Sequence, residues 1–484
     1  TNNVGIGMNA LSGLTSGAEN IAIGSSAGLG LSSGNQNVII GHAAGDAIGT
    51  QDECVLIGYN AGTALNDGAA DGTVAVGYTA LAALTSGIGN VAIGYETLKS
   101  HNDSDYSTAV GHQALKTQSG TAGDVGNTAV GYKAGTAITM GRRIVAMGFN
   151  ALALEDVGNS TVAIGDHALY TQNSDSNNEE TGNTAVGALT GYYNVTGTNN
   201  TYLGYKSGYG ATGNSNSNNT AVGASALLAV TTGGSNTVMG RAAADAITSG
   251  VNNTVVGDSA LGTATTATLN IVMGGDAMSA VPAGQAVTGV VAIGQNAAKG
   301  SASTTTGIDG TVAVGHSALA ALTSGAGNTA IGYQAGLAMT AGGENTILGY
   351  QAFIAADNDE FGNVAIGYAA MGAVNDDSAD DNVCIGRSAG YGGAALMKGC
   401  VAIGREAMEN TAGNAQTGTI AIGYKSLEAL TTGAGNVAVG YQAGVGLTTG
   451  ENNTILGHSA LDAATTQADD NVALGYNAMG GAID

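Results

Sequence analysis

Residues 325–336 read GAGNTAIGYQAG, and nearly the same letters return at residues 433–444 (GAGNVAVGYQAG) and 126–135 (GNTAVGYKAG). When the 484-residue chain is aligned on the glycine that follows Ile, Val, Leu or Met in this motif, 27 copies are found. Of the 26 spacings between these corner glycines, 15 are 17 residues and none is shorter. The longer copies add residues in one segment only, which is typical of a solenoid with a single variable loop per coil.

The columns of the repeat indicate a short strand just before each corner glycine. The residues one and three before it are aliphatic or Thr in all 27 copies, and the residue between them is Ala in 17. Both faces of the strand are therefore apolar, which favours parallel strands stacked coil on coil. The residue four before the glycine is Asn in 18 copies, which predicts a hydrogen-bonded amide ladder.

These observations predict an all-β fold, a parallel β-solenoid (β-roll) of about 27 coils of 17 or more residues. A 17-residue unit has no room for the two helices of the familiar helical repeats, which need about 33–47 residues. We expect one continuous repeat domain over residues 1–484 that is part of a longer chain. Because a thin solenoid has only one inside, the second apolar face predicts side-by-side association of chains.

Composition and charge narrow the classes of partner. The formal net charge is −24 with only 12 Lys plus Arg, so we expect neither nucleic acid nor an anionic membrane as a partner. No run of 18 apolar residues occurs, so no membrane insertion is predicted. The three cysteines are too few and too scattered for a disulfide framework or a zinc site.

An aromatic column follows the corner glycine and is the one candidate site. The next residue is His in four copies and Tyr in eleven. These tyrosines are Tyr59, Tyr78, Tyr95, Tyr132, Tyr205, Tyr333, Tyr350, Tyr368, Tyr424, Tyr441 and Tyr476. They predict either a structural ladder, in which rings stack between coils, or an exposed stripe for sugar binding. The four His are too far apart along the repeat to share a metal.

Acidic pairs fall in the variable loops. Asp376–Asp377, Asp380–Asp381 and Asp469–Asp470 lack an accompanying Arg or aromatic cluster, so we predict no catalytic residues and no enzyme activity. We expect no cofactor, except that calcium could bind a loop such as NDDSADDN, residues 375–382. The longest insertions, residues 170–182 and 357–362, are the best candidates for protruding contact loops.

The core NVAIGYxAL resembles the head repeats of YadA-type trimeric autotransporter adhesins, and the Gly- and Asn-rich TTGxNNTAIGYxAL variety resembles repeat regions of bacteriophage tail fibres. The resemblance covers residues 3–484, although this unit has 17 or more residues where the adhesin unit has about 14. It implies left-handed β-rolls joined as a homotrimer, located on a cell surface or virion.

We therefore expect an extracellular structural protein, the shaft or head of a phage tail fibre or of a bacterial surface adhesin, that mediates host or surface attachment. Its partners would be itself and a cell-surface glycan or protein receptor. One alternative is a subunit of a self-assembling extracellular filament that joins end to end. A polysaccharide-degrading tailspike is the other alternative.

Overall fold

The computed structural model describes residues 2–66, 70–120, 123–301, 305–392, 396–411, 415–463 and 468–481. The chain divides into two compact units, Thr1–Asn236 and Thr237–Asp484. No α-helix occurs in these described ranges, and each unit is built from parallel three-residue strands, one per repeat. The prediction of a parallel β-solenoid is confirmed; the single continuous domain stays a prediction.

The first unit contains thirteen described three-residue strands and two shorter ones. They are β1 (Val4–Ile6), β2 (Ile21–Ile23), β3 (Val38–Ile40), β4 (Val55–Ile57), β5 (Val74–Val76), β6 (Val91–Ile93), β7 (Ser104–Asp105), β8 (Thr108–Val110), β9 (Gly123–Asp124), β10 (Thr128–Val130), β11 (Val145–Met147), β12 (Val162–Ile164), β13 (Thr184–Val186), β14 (Thr201–Leu203) and β15 (Thr220–Val222). β7 and β9 pair with each other outside the main sheet.

The second unit contains fourteen described three-residue strands and again two shorter ones. They are β16 (Thr237–Met239), β17 (Thr254–Val256), β18 (Ile271–Met273), β19 (Val291–Ile293), β20 (Val312–Val314), β21 (Thr329–Ile331), β22 (Thr346–Leu348), β23 (Val364–Ile366), β24 (Val383–Ile385), β25 (Met397–Lys398), β26 (Val401–Ile403), β27 (Gln416–Thr417), β28 (Ile420–Ile422), β29 (Val437–Val439), β30 (Thr454–Leu456) and β31 (Val472–Leu474). β25 and β27 form the extra pair.

Register within each unit places equivalent residues of successive coils side by side. Thr329 of β21 pairs with Thr346 of β22, and Ala330 pairs with Ile347. The middle residue of the strand points inward, since Ala330 and Ile347 are both fully buried. The residues on either side of it point outward, and Ile331 remains 39% exposed. The core therefore lies on the alanine side of the sheet, and the outward side carries the β-branched columns.

The corner glycine is required by close stacking of the coils. Gly332 has φ of +140°, and a Cβ built on it would lie 2.3 Å from the carbonyl oxygen of Gly349 in the next coil. No L-residue with a side chain fits that conformation and that gap. The repeat therefore keeps glycine at this place in every coil.

The wall opposite the strands is a turn segment with left-handed residues. Gln334 and Gly336 have φ of 54° and 60°. This segment is also stacked coil on coil, since the Gly336 N–H donates to the carbonyl of Ala352 at 3.0 Å. A Cβ on Gly336 would touch Leu319 and Ile347, so this wall packs directly on the core face of the strands.

The predicted amide ladder is present. Asn345 Nδ2 donates to Asn328 Oδ1 at 3.1 Å, and Asn363 Nδ2 donates to Asn345 Oδ1 at 3.1 Å. Asn382 continues the same series onto Asn363 at 3.0 Å. Each of these buried amides also caps the backbone of a neighbouring coil, as Asn345 Nδ2 does at the Glu360 carbonyl, 2.8 Å away. The ladder thereby satisfies buried polar groups that would otherwise oppose folding.

Candidate functional site: an aromatic column beside an apolar strand face

The aromatic column follows the corner glycines on the outward side of the solenoid. Tyr350 is 45% exposed, and of the eleven predicted tyrosines only Tyr424 is less than about 40% exposed. The column continues the outward strand face, so valine or threonine, isoleucine and tyrosine lie side by side on one surface of the coil. Within each unit, the predicted tyrosines thus lie on the exposed side of the coils.

In the first unit seven rings form one stack. In chain order they are His42, Tyr59, Tyr78, Tyr95, His112, Tyr132 and Phe149, with centroid distances of 4.9–5.3 Å and interplanar angles of 9–20°. The parallel stacking ends there, because Asp166 occupies the next place in the column and the His167 ring contacts Phe149 at 5.3 Å with an interplanar angle of 56°. Tyr205 lies apart from it and carries Lys206 over its ring at 5.3 Å.

The second unit contains two shorter stacks and an arginine pair between them. His316, Tyr333, Tyr350 and Tyr368 form the first stack, at 5.1–5.3 Å. Tyr424, Tyr441, His458 and Tyr476 form the second, at 4.8–5.3 Å. The column places between them are filled by Arg387, 5.7 Å from the Tyr368 ring, and Arg405, 5.7 Å from the Tyr424 ring. Cation–π contacts thus replace ring stacking there.

This geometry decides which contacts the rings can make. Inside each stack both faces of a ring are covered by its neighbours, whereas sugar stacking needs an open face. The edges and phenol oxygens remain on the surface. The stacks therefore act as structural ladders, with only ring edges and phenol oxygens on the surface. The stacked tyrosines do not each offer a separate open ring face for binding a sugar.

A second aromatic cluster was missed in the sequence. Tyr170, Tyr192 and Tyr209 each lie five residues after a corner glycine in three consecutive coils. Tyr170 and Tyr192 stack at 5.2 Å, and Tyr193 packs edge-on to Tyr209 at 5.1 Å. Burial raises the pKa of Tyr192 and Tyr209 above the ordinary value. The shared spacing from the corner glycine was the signal that could have revealed this cluster.

The acidic loop proposed for calcium uses most of its carboxylates internally. Asp376 Oδ1 accepts from the Ser378 N–H at 2.9 Å, and Asp377 Oδ1 accepts from Asn358 Nδ2 at 2.9 Å. Asp380 forms an ion pair with Lys398 at 3.0 Å. Calcium binding by residues 375–382 stays a prediction. In the other insertion, residues 357–362, Glu360 is fully buried, so that loop does not protrude throughout its length.

One group of carboxylates does converge. Glu406, Glu409 and Glu428 place one oxygen each within 4.8 Å of one another. Arg405 binds Glu406 at 2.8 Å, and Lys425 binds Glu428 at 2.7 Å. Hydrogen bonding to Arg405 lowers the pKa of Glu406 below the ordinary value. The chain's own cations therefore pair with two of the three carboxylates.

A polar cleft of about 260 Å³ lies in the first unit. Its lining includes Asp124, Arg142, Arg143 and Glu180. Arg143 forms an ion pair with Glu180, whose carboxylate also accepts from Ser160 Oγ at 2.6 Å. Two acidic and two basic residues thus line the cleft, and Arg143 and Glu180 among them pair with each other.

The three cysteines are free and buried. Burial raises the pKa of the Cys54 thiol to about 11 and raises that of Cys384 as well. These thiols are therefore held protonated and unreactive at neutral pH. Within the described part of the chain, no helix has the length and apolarity to span a bilayer.

Comparison with known proteins adds no family. A scan against protein-family models finds no match, and a search of curated proteins finds no relative.

Proposed function

We propose that the chain is a non-enzymatic structural protein, the shaft or head of an extracellular fibre that attaches to a host or surface. Phage tail fibres and YadA-type adhesins are the two settings that the repeat motif resembles. The observation that supports the proposal is the outward strand face, which repeats the same apolar columns in coil after coil beside the ring stacks.

The apolar face supports self-association as a homotrimer. Ile331 and Leu348 are adjacent on this face and are 39% and 44% exposed. Columns of this kind expose far more contiguous apolar surface than soluble monomers normally do. Identical columns on each chain also match in spacing, so coils of neighbouring chains can pack at the same level. Attachment would then use a surface glycan or protein receptor at the stripe edges and the variable loops.

The proposal is tested by the mass of the purified chain in solution. Analytical ultracentrifugation of the parent chain should give a trimer, and the double variant Ile331→Lys/Leu348→Lys should give smaller species with an unchanged circular dichroism spectrum. The control Glu451→Lys alters an exposed loop residue and should leave the trimer intact. A parent chain that remains monomeric at micromolar concentration contradicts the trimeric fibre.

Attachment needs its own experiment. Fluorescently labelled trimer should bind intact bacterial or host cells and should release no sugar from their capsules. Reducing sugar released from capsule would overturn the non-enzymatic assignment and favour a tailspike. Continuous filaments in electron micrographs, in place of particles of fixed length, would favour the filament.

A further inference from the structure

Glu360 is an unusual residue for its place in the repeat. It lies seven residues before corner glycine Gly367, where many other coils have glycine, as at Gly325, Gly342 and Gly433. Its side chain is fully buried. One carboxylate oxygen, Oε1, accepts from the Asp357 N–H at 3.1 Å. The other, Oε2, receives no hydrogen bond from any described residue.

Two further buried oxygens nearby are also without a donor. Asp357 Oδ1 and Asn375 Oδ1 are both inaccessible to solvent and have no hydrogen-bond partner among the described residues. Asp357 and Asn375 each lie eight residues after a corner glycine, Gly349 and Gly367, so they occupy the same place in consecutive coils. Buried hydrogen-bond acceptors are rarely left unsatisfied. Three such oxygens in two consecutive coils indicate that a cation is missing.

The charge around these oxygens is strongly negative. Asp377 reaches the same loop, because its carboxylate accepts from Asn358 Nδ2 at 2.9 Å. Burial, then the charges of Asp357 and Asp377, raise the pKa of Glu360 to about 7. No basic group among the described residues contributes to the pKa shift of Glu360, and Lys398, two coils on, is bound to Asp380. The segment therefore lacks a positive charge of its own.

We propose that Asp357, Glu360 and Asn375 bind a Ca²⁺ ion between the coils that begin at Gly349 and Gly367. All three donors are oxygens, two from carboxylates and one from an amide, and Ca²⁺ prefers this set in flexible geometry. Water is available for the remaining ligand positions. The Glu406, Glu409 and Glu428 group provides the contrast, since Arg405 and Lys425 already pair with two of its three carboxylates.

Isothermal titration with CaCl₂ of chain first treated with EDTA tests the site. The parent chain should bind one Ca²⁺, and Glu360→Gln and Asp357→Asn should each weaken binding at least about 10-fold, as expected for loss of a carboxylate ligand. The matched control Glu409→Gln should bind like the parent. Absence of binding at millimolar calcium, or equal binding by all four proteins, would overturn the proposal.

A second variant keeps the test decisive if Glu360→Gln folds poorly. Glu360→Gly introduces the residue that neighbouring coils carry at this place, so it should fold and should not bind. Hydrogen exchange gives an independent readout: calcium should slow exchange over residues 345–382 of the parent but not of Glu360→Gly. Equal slowing in both proteins would place the ion elsewhere and reject the site. The outcome is independent of whether the chain proves to be a fibre.

Discussion

The rings of Tyr350 and Tyr368 are stacked with their centroids 5.3 Å apart and their planes only 3° from parallel. Their corner glycines, Gly349 and Gly367, are neighbours in the coil stack, so the ring distance follows from the spacing between coils. Aromatic contacts in this protein therefore report directly on the register of adjacent coils.

Tyr350→Ala should destabilise its coil and the two beside it. The ring contacts Tyr333 and Tyr368, and each stacked pair is worth about 1 kcal/mol, so a loss of about 2 kcal/mol is expected. Hydrogen exchange of the amides in residues 333–368 measures the local effect. Tyr350→Phe keeps both stacks and should exchange like the parent; if it behaves like the alanine variant, the phenol oxygen and not stacking is responsible.

Gly332→Ala should disrupt the corner. The new Cβ would lie 2.3 Å from the Gly349 carbonyl oxygen at a φ of +140°, so the coils must separate at a cost on the order of 3 kcal/mol. Thermal unfolding followed by circular dichroism measures this loss of stability. The control is Gly275→Ala, where the nearest atom to a new Cβ is 4.0 Å away. Equal melting temperatures for the two variants would contradict the steric argument.

Asn37→Ala should leave several buried polar groups without partners. Asn37 Nδ2 donates to Asn20 Oδ1 at 3.0 Å and to the Gln51 carbonyl at 2.8 Å, and its Oδ1 accepts from the Cys54 N–H at 2.9 Å. We expect a loss on the order of 3 kcal/mol in denaturant unfolding. Ser25→Ala, on the outward column, should change little, and a similar loss there would indicate a nonspecific effect.

The stability that Glu96 contributes to the folded chain should be lost in acid. Hydrogen bonds from Lys116, Lys99 and Gln113 lower the pKa of its carboxyl to about 2. The folded chain therefore binds fewer protons than the unfolded chain between pH 4.5 and 2. Glu96 contributes about 1 kcal/mol to the free energy of unfolding above pH 4.5, and this contribution is lost as the pH falls to 2. Comparing unfolding of the parent and Glu96→Gln at pH 7 and pH 2 checks this, because the difference should vanish at pH 2.

His101→Leu should stabilise the chain. Burial lowers the pKa of the imidazole to about 4, and Nδ1 has no described partner. Nε2 lies 2.9 Å from the Ser104 carbonyl oxygen, which also accepts from Asn90 Nδ2 at 2.9 Å and so keeps a donor in the variant. Leu84 fills the same place one coil earlier. Because the folded pKa lies below the unfolded one, His101 stabilises less as the pH falls from 6.5 through 4. The increase in the free energy of unfolding caused by His101→Leu should therefore be larger at pH 5 than at pH 8. His101→Gln, which stays polar, should show no gain at pH 8.

The strand columns and the amide ladder could be predicted because each depends on one residue type at a fixed distance from the corner glycine. Ala330 and Asn328 illustrate this, since stacking at constant spacing turns a sequence column into a physical one. The turn wall could not be predicted in the same way. Residues such as Leu319 adopt φ of 49° there, a left-handed conformation that leucine does not favour on its own.

The position of the tyrosine column was predicted, and stacking of its rings between coils was one of the two predicted arrangements. A tyrosine column can be recognised from spacing alone, whereas coverage of the ring faces depends on the distance between coils. Of the proposed calcium donors, Asn375 falls in the loop that the sequence predicted for calcium, whereas Asp357 and Glu360 were counted as part of a protruding loop. Its burial results from replacing a glycine that normally packs against the next coil, and a single residue gives no periodic signal.

Because the Gly349 carbonyl leaves no space for a side chain at Gly332, an insertion or deletion near a corner is tolerated only when it adds or removes a complete coil. Unequal recombination between two copies of the motif joins equivalent positions and meets this condition automatically. The number of coils is therefore a heritable quantity that changes in whole units, and selection can raise or lower it without searching for a new fold.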